Sequence, residues 1–233
     1  MNNEIDLNTI SLLKDDETIR ITILTNIFRM ICRRGYVEME KYMIDGDPLN
    51  DFDNRLIEPK FAEKNETQTY IIQMDVPFVN ESNKKDEFDG KQLVVKFIPQ
   101  IVADIQNNVS YLDFMKQYNR FHKLLIFNEA QDKVFTLAEK KHNLEIFDKN
   151  SLMIDLMSYG CAPLRCNLIK YDKIGEELAH IGNAKVARIL RNDPMAKYYG
   201  AKKGDVLRII RRSINNGHEV AYRRVVDSKQ VFR

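Results

Sequence analysis

The stretch Asn192-Asp193-Pro194-Met195-Ala196-Lys197-Tyr198-Tyr199-Gly200-Ala201-Lys202-Lys203-Gly204-Asp205-Val206-Leu207-Arg208-Ile209-Ile210-Arg211-Arg212-Ser213 decides how the C-terminal part of the chain folds. It reads as a short helix, a glycine turn and a strand. Asp193 is suited to cap the helix, because its carboxylate accepts from the free N–H groups of the first turn. Pro194 fits the first helical position, where no N–H is needed. Gly200 can close the helix in the left-handed conformation. Lys203-Gly204 turns the chain, and residues 206–210 are apolar but for Arg208 and partly β-branched, as a strand requires. Downstream, Asn215-Asn216-Gly217 reads as a loop, and residues 220–226 return as an antiparallel strand, completing a C-terminal β-hairpin.

The order Asp-Pro-x-Ala-Lys-Tyr-Tyr-Gly-x-Lys-x-Gly-Asp-Val-x-x-Ile-x-Arg-x-Ser, followed by Gly217 and Tyr222-Arg223, resembles the assembly domain of a small RNA polymerase component, which is the fifth subunit in eukaryotes and has a shorter archaeal counterpart. Pro163 keeps the family's spacing to Asp193-Pro194. The chain departs from the family at Leu164-Arg165, where Lys-His is usual, and at Ser213-Ile214-Asn215, where Ser-Glu-Thr is usual. The segment Met30-x-x-x-Arg34-Gly35-Tyr36-Val37 and the run 124–156 are similar to parts of the N-terminal jaw domain of the two-domain members, which occur in eukaryotes and large DNA viruses.

Composition agrees with two domains. The chain has 233 residues, 44% hydrophobic and 30% charged, enough to bury real cores. Its apolar runs are too short to span a membrane, and the N-terminus lacks the pattern of a signal peptide. Residues 151–233 hold 16 basic and 8 acidic side chains, while the 20 basic and 26 acidic residues before them give the opposite sign. That asymmetry predicts an acidic partner for the C-terminal part, nucleic acid or protein.

In chain order, Ile19, Ile23, Ile27, Met30 and Ile31 recur at helical spacing and predict a helix from about Asp16 to Gly35. Residues 45–66 read as loops around at most one short element. Residues 69–76 and 91–98 read as strands, separated by a charged loop at 80–90. Pro99 opens a helix to about 107, and Ser110 caps another through 118. Residues 122–127 read as a buried strand, with Leu144-Glu145-Ile146-Phe147-Asp148 and Met153-Ile154-Asp155-Leu156 after it. Ser158-Tyr159-Gly160 reads as the linker, followed by a polar helix near 172–180, a break at Gly182-Asn183 and a helix over 184–191. The alternation predicts an α/β N-terminal domain over 1–157, then a small mixed α/β domain over 158–233.

No catalytic, cofactor or metal constellation is legible. The three cysteines, Cys32, Cys161 and Cys166, offer no four-ligand zinc set, and His122, His142, His180 and His218 show no metalloprotease spacing. The jaw resembles some nucleases in fold, and Asp75 with Asp89-Gly90-Lys91 matches a metal-nuclease pattern formally. Asp89, however, is expected in the charged loop, not in a strand that would hold it rigidly.

The resemblance implies a non-catalytic polymerase subunit whose assembly domain docks on the largest subunit, beside neighbouring small subunits. The jaw would lie near downstream duplex DNA, held without sequence preference, in a nucleus or viral factory. The interface would include Pro163, Asp193, Pro194, Tyr198, Tyr199, Gly200, Gly204, Arg211, Ser213, Gly217, Tyr222 and Arg223. Tyr198, Tyr199 and Tyr222 suit either a core or an interface, since a ring can be buried while its hydroxyl stays wet. A stand-alone DNA-binding regulator and a metal-dependent nuclease are the alternatives.

Overall fold

A computed structural model of the chain describes residues 15–44, 52, 54–57, 62–63, 68–78, 89–98, 108–128, 143–159, 162–179 and 186–227. It divides into two units, Met1–Ile154 and Asp155–Arg233. Each is a mixed sheet with helices, as the sequence predicts.

The first unit begins with α1 (Asp16–Arg33). Asp15 caps it, its carboxylate accepting from the Thr18 N–H at 2.7 Å. The helix ends as the chain swings away at Gly35: the Gly35 N–H reaches the Cys32 carbonyl and the Tyr36 N–H the Ile31 carbonyl. Ile23, Leu24, Ile27, Phe28, Met30 and Ile31 form its buried stripe. The sheet runs in sequential order β1 (Ala62–Glu63), β2 (Thr69–Gln73), β3 (Asp89–Ile98), β4 (Phe121–Phe127), β5 (Leu144–Asp148). The β1–β2 and β2–β3 pairs are antiparallel, and the β3–β4 and β4–β5 pairs are parallel. Short helices α2 (Asn54–Ile57), α3 (Val109–Gln117) and α4 (Lys149–Leu152) accompany it. Strand β4 has partners on both edges and six consecutive buried residues, which is why its second half, Leu124 to Phe127, reads as an unbroken apolar run. Its buried Lys123 is satisfied by two carbonyls, donating to that of Tyr118, which caps α3, at 2.9 Å and to that of Phe121, at the start of β4, at 2.8 Å.

The second unit contains β6 (Arg165–Ile169), α5 (Ile174–Glu177), β7 (Ala187–Leu190), α6 (Pro194–Tyr198), β8 (Val206–Ser213) and β9 (Gly217–Val226). The sheet order is β6-β8-β9-β7. The β6–β8 and β8–β9 pairs are antiparallel, and β9–β7 is parallel. Ile169, Leu178 and Val206 form a core on one side of it.

Several local expectations are corrected. Where a helix is expected over 184–191, Ala187–Leu190 is strand β7, because pairing with β9 from Arg223 to Val226 gives its backbone groups partners. Ser110 is not the cap of α3; Asn108 is, its side chain accepting from the Tyr111 N–H at 3.0 Å. The run 153–156 is not a strand, since α4 takes the chain out of the sheet and Leu156 opens a 3-10 turn, Leu156–Ser158. Strand β2 stops at Gln73, short of Asp75. Strand β6 is an element that the local sequence does not announce. Residues 45–66 hold α2 and β1 where one short element is expected. The expected helix over 99–107, the loop residues 80–88 and the break at Gly182-Asn183 lie outside the described residues. No helix among the described residues is long and apolar enough to cross a membrane.

Candidate docking surface

The stretch from Asn192 to Ser213 folds as its residues require. Asp193 accepts from the Met195 N–H at 2.8 Å, and Pro194 occupies the first turn of α6, exposed. Behind them Tyr198 and Tyr199 are buried, their rings 5.3 Å apart at 61°. The Tyr198 hydroxyl donates to the Asp155 carboxylate at 3.1 Å. That carboxylate also accepts from the Met157 N–H at 3.2 Å, so the start of the unit is tied to α6.

The helix leaves through Gly200 at φ 60°, with the Ala201 N–H returning to the Ala196 carbonyl at 2.9 Å. Gly204 sits at φ 97°, where a side chain is strained, and a Cβ there would lie 3.0 Å from the Tyr171 ring. Its N–H donates to the Val225 carbonyl, which fixes the turn against β9. Next in sequence, Asp205 is buried. Its carboxylate accepts from the Tyr171 N–H at 3.0 Å and the Lys202 N–H at 2.9 Å, with the Lys170 ammonium 3.8 Å away.

The hairpin pairs residue by residue from Val206↔Arg224 to Ser213↔Gly217. Strand β6 reaches only to Ile210 and β7 only to Arg223, so the far end of the hairpin extends beyond the sheet as a two-stranded ribbon. Residues directly opposite share a face. Arg211, Ser213, Gly217 and Arg223 therefore fall on one face, and Tyr222 on the other. On the first face the Arg211 guanidinium meets the Glu219 carboxylate at 3.1 Å, an exposed pair that adds little stability but holds both strands in one geometry. At the apex Ile214 is fully exposed.

The expected interface residues thus divide. Tyr198 and Tyr199 are interior and Gly204 is a backbone requirement; Pro163 and Asp193 are half-buried. Pro194, Arg211 and Gly217 are exposed; Ser213, Tyr222 and Arg223 are partly so. Asp155 and Asp205 order this unit without being among the residues expected from sequence. Asp155 has no local signal, while Asp205 follows the glycine turn directly.

The metal-nuclease pattern has a structural explanation. Asp89 and Gly90 lie within β3, not in the loop expected for them. Gly90 is needed because a Cβ there would come within 2.5 Å of the Phe78 carbonyl oxygen, and that strand edge receives the Phe78 N–H. The Asp75 carboxylate caps the backbone N–H of Glu38 at 3.1 Å. Among the described residues no group of three His, Cys, Asp or Glu could hold a metal ion. Cys32 and Cys166 are buried free thiols, the pKa of each pushed up to about 12 by burial; Cys161 lies outside the described residues.

Comparison with known proteins locates this unit. Residues 175–225 match the family model for the RNA polymerase Rpb5 C-terminal domain. DNA-directed RNA polymerase subunit 5 of Acanthamoeba polyphaga mimivirus is 28% identical over 207 residues, covering 88% of this chain and 90% of that relative. A subunit of DNA-directed RNA polymerases I, II and III from Dictyostelium discoideum is 29% identical over 136 residues, 58% of this chain and 64% of its own length. Its Caenorhabditis elegans counterpart is 33% identical over 88 residues, 37% and 41% of the two chains. The capped helix, glycine turn and hairpin all lie in the matched region, and together the matches support a likeness to the Rpb5 family of RNA polymerase subunits.

Proposed function

We propose that the chain is a non-catalytic subunit of a multisubunit DNA-directed RNA polymerase, held by residues 158–233 and carrying residues 1–157 as a jaw beside downstream duplex DNA. The observation that carries the reading is a similarity to a polymerase subunit 5 that runs through both units and covers 90% of that relative. The anchor would be the hairpin face bearing Arg211, Ser213, Gly217 and Arg223, presented to the largest subunit and its small neighbours. Tyr198, Tyr199, Gly200 and Gly204, with Asp193 and Pro194 capping α6 and Pro163 leading into β6, set its angle from within. Nucleotide addition would belong to the large subunits. The work of this chain is then geometric, a rigid foothold for weak contacts that do not read sequence. It would act wherever transcription occurs, in a nucleus or a viral compartment.

Affinity capture of the tagged chain tests this. A stoichiometric set of large polymerase subunits is expected. Arg211→Glu, which reverses an exposed charge without touching the core, should reduce that recovery while the variant stays folded. Recovery of the chain alone refutes the subunit reading, and normal recovery of the variant refutes the placement of the anchor.

A further inference from the structure

The other face of the C-terminal sheet has a chemistry of its own. Across the register, Arg208 lies opposite Tyr222 and Arg212 opposite His218. Arg165 lies opposite Ile210, and Arg224 is two residues along from Tyr222, so all six polar side chains share this face. The one carboxylate carried by the four strands, Glu219, is on the opposite face beside Arg211. Among the described residues, Arg165, Arg208, Arg212 and Arg224 make no ion pair.

A cleft of about 460 Å³ opens on this face, with Asn167, Ile169, Arg208 and Tyr222 among its lining and Glu177 of α5 at its wall. That volume suits one nucleotide-sized unit. The half-buried Tyr222 ring offers a stacking surface next to a guanidinium, and the Asn167 amide and Glu177 carboxylate offer both acceptors and a donor to the edge of a base. An acidic peptide fits less well, because its carboxylate would meet that of Glu177 inside the cleft. Alternate residues of a strand lie about 6.7 Å apart, so Arg224 stands one short step from a base seated on Tyr222.

We propose that this face binds single-stranded nucleic acid, with its phosphates on Arg165, Arg208, Arg212 and Arg224 and one base in the cleft against Tyr222. The inference concerns the isolated chain and does not rest on the subunit reading.

Fluorescence anisotropy of a labelled twelve-nucleotide oligothymidylate with the full chain, between roughly 50 and 200 mM salt, tests it. Affinity should fall with salt. The double variant Arg165→Gln/Arg224→Gln alters two exposed side chains and so should fold normally. It should flatten the slope of log K against log salt by roughly 1.4, about 0.7 for each phosphate contact. Tyr222→Leu should weaken binding roughly five- to a hundredfold and leave the slope unchanged. Lys203→Gln removes one charge from a lysine paired with Asp227 at 3.0 Å, and should change neither quantity. Absence of binding at low salt overturns the proposal, as does equal loss in Lys203→Gln. Displacement of the probe by decaglutamate at lower concentration than by unlabelled oligothymidylate also overturns it, and would assign the face to an acidic protein instead.

Discussion

Glu145→Gln is the most informative single change in the first unit. The Glu145 side chain, only 18% exposed, accepts from Arg34 through both oxygens, at 2.8 and 2.9 Å, and meets His122 Nε2 at 2.9 Å. The Arg34 side chain is 6% exposed, and the His122 ring stacks on Phe78 with centroids 3.9 Å apart. Burial alone would raise the carboxyl pKa, but Arg34 and His122 outweigh it and hold the group well below the usual carboxylate range. The cluster joins the end of α1 to β4 and β5. Removing one partner of a buried pair costs about 3–5 kcal/mol, because the other charge stays buried. Gln keeps an acceptor oxygen for Arg34, so a loss of about 3 kcal/mol is expected. For a unit of this size that lowers the melting temperature by about 6–12 °C.

Calorimetry of the full chain should show the shift in the transition of the first unit and leave that of the second in place. The pH dependence has a fixed sign. A depressed carboxyl pKa gives stability that is complete above the unfolded value, about 4.3, and is lost as pH falls below it towards the folded one. Wild type should therefore lose this contribution in acid, and the variant should lack that part of the slope. Replacing the pair together, Arg34→Met with Glu145→Leu, should cost less than the sum of the single changes. A melting point for Glu145→Gln within about 2 °C of wild type would refute the reasoning.

In the second unit, Gly204→Ala should cost about 1–2 kcal/mol from its positive φ. The close Tyr171 ring adds little, since it is 73% exposed and can swing aside; urea unfolding measures the loss. Tyr198→Phe deletes the hydroxyl bonded to Asp155 and should cost about 1 kcal/mol in the same assay, with the fold retained. Cys32 and Cys166, with pKa values pushed up to about 12, should resist thiol labelling at pH 8 until the chain unfolds, as mass mapping of labelled peptides would show.

The parts of the fold that are legible in the sequence are those whose local signals agree. Asp15, the stripe from Ile23 to Ile31 and Gly35 specify α1 together. Asp193, Pro194, Gly200 and Gly204 specify the turn of α6 and the entry to β8 in the same way. What is illegible is set by distant partners. Nothing within residues 184–191 announces a strand; β7 exists because β9 offers an edge. Strand β6, the buried Asp155 and the arginine-lined face all depend on contacts or register between residues far apart in sequence. The division of the interface candidates into interior and exposed sets follows only from burial. Tyr198 and Tyr222 look alike in sequence, yet one is sealed inside and the other borders a cleft.

The interior position of β9 in the order β6-β8-β9-β7 bears on how this unit is made. During synthesis β7 emerges well before the strand it pairs with, and β8 can join β6 while its other edge stays bare. Strand β9 must then insert between β8 and β7, two elements made before it. Until the ribosome has delivered residues up to Val226, this half has no finished sheet. Any docking that needs the finished sheet therefore waits until translation has passed Val226, so the order of synthesis sets when this surface first exists.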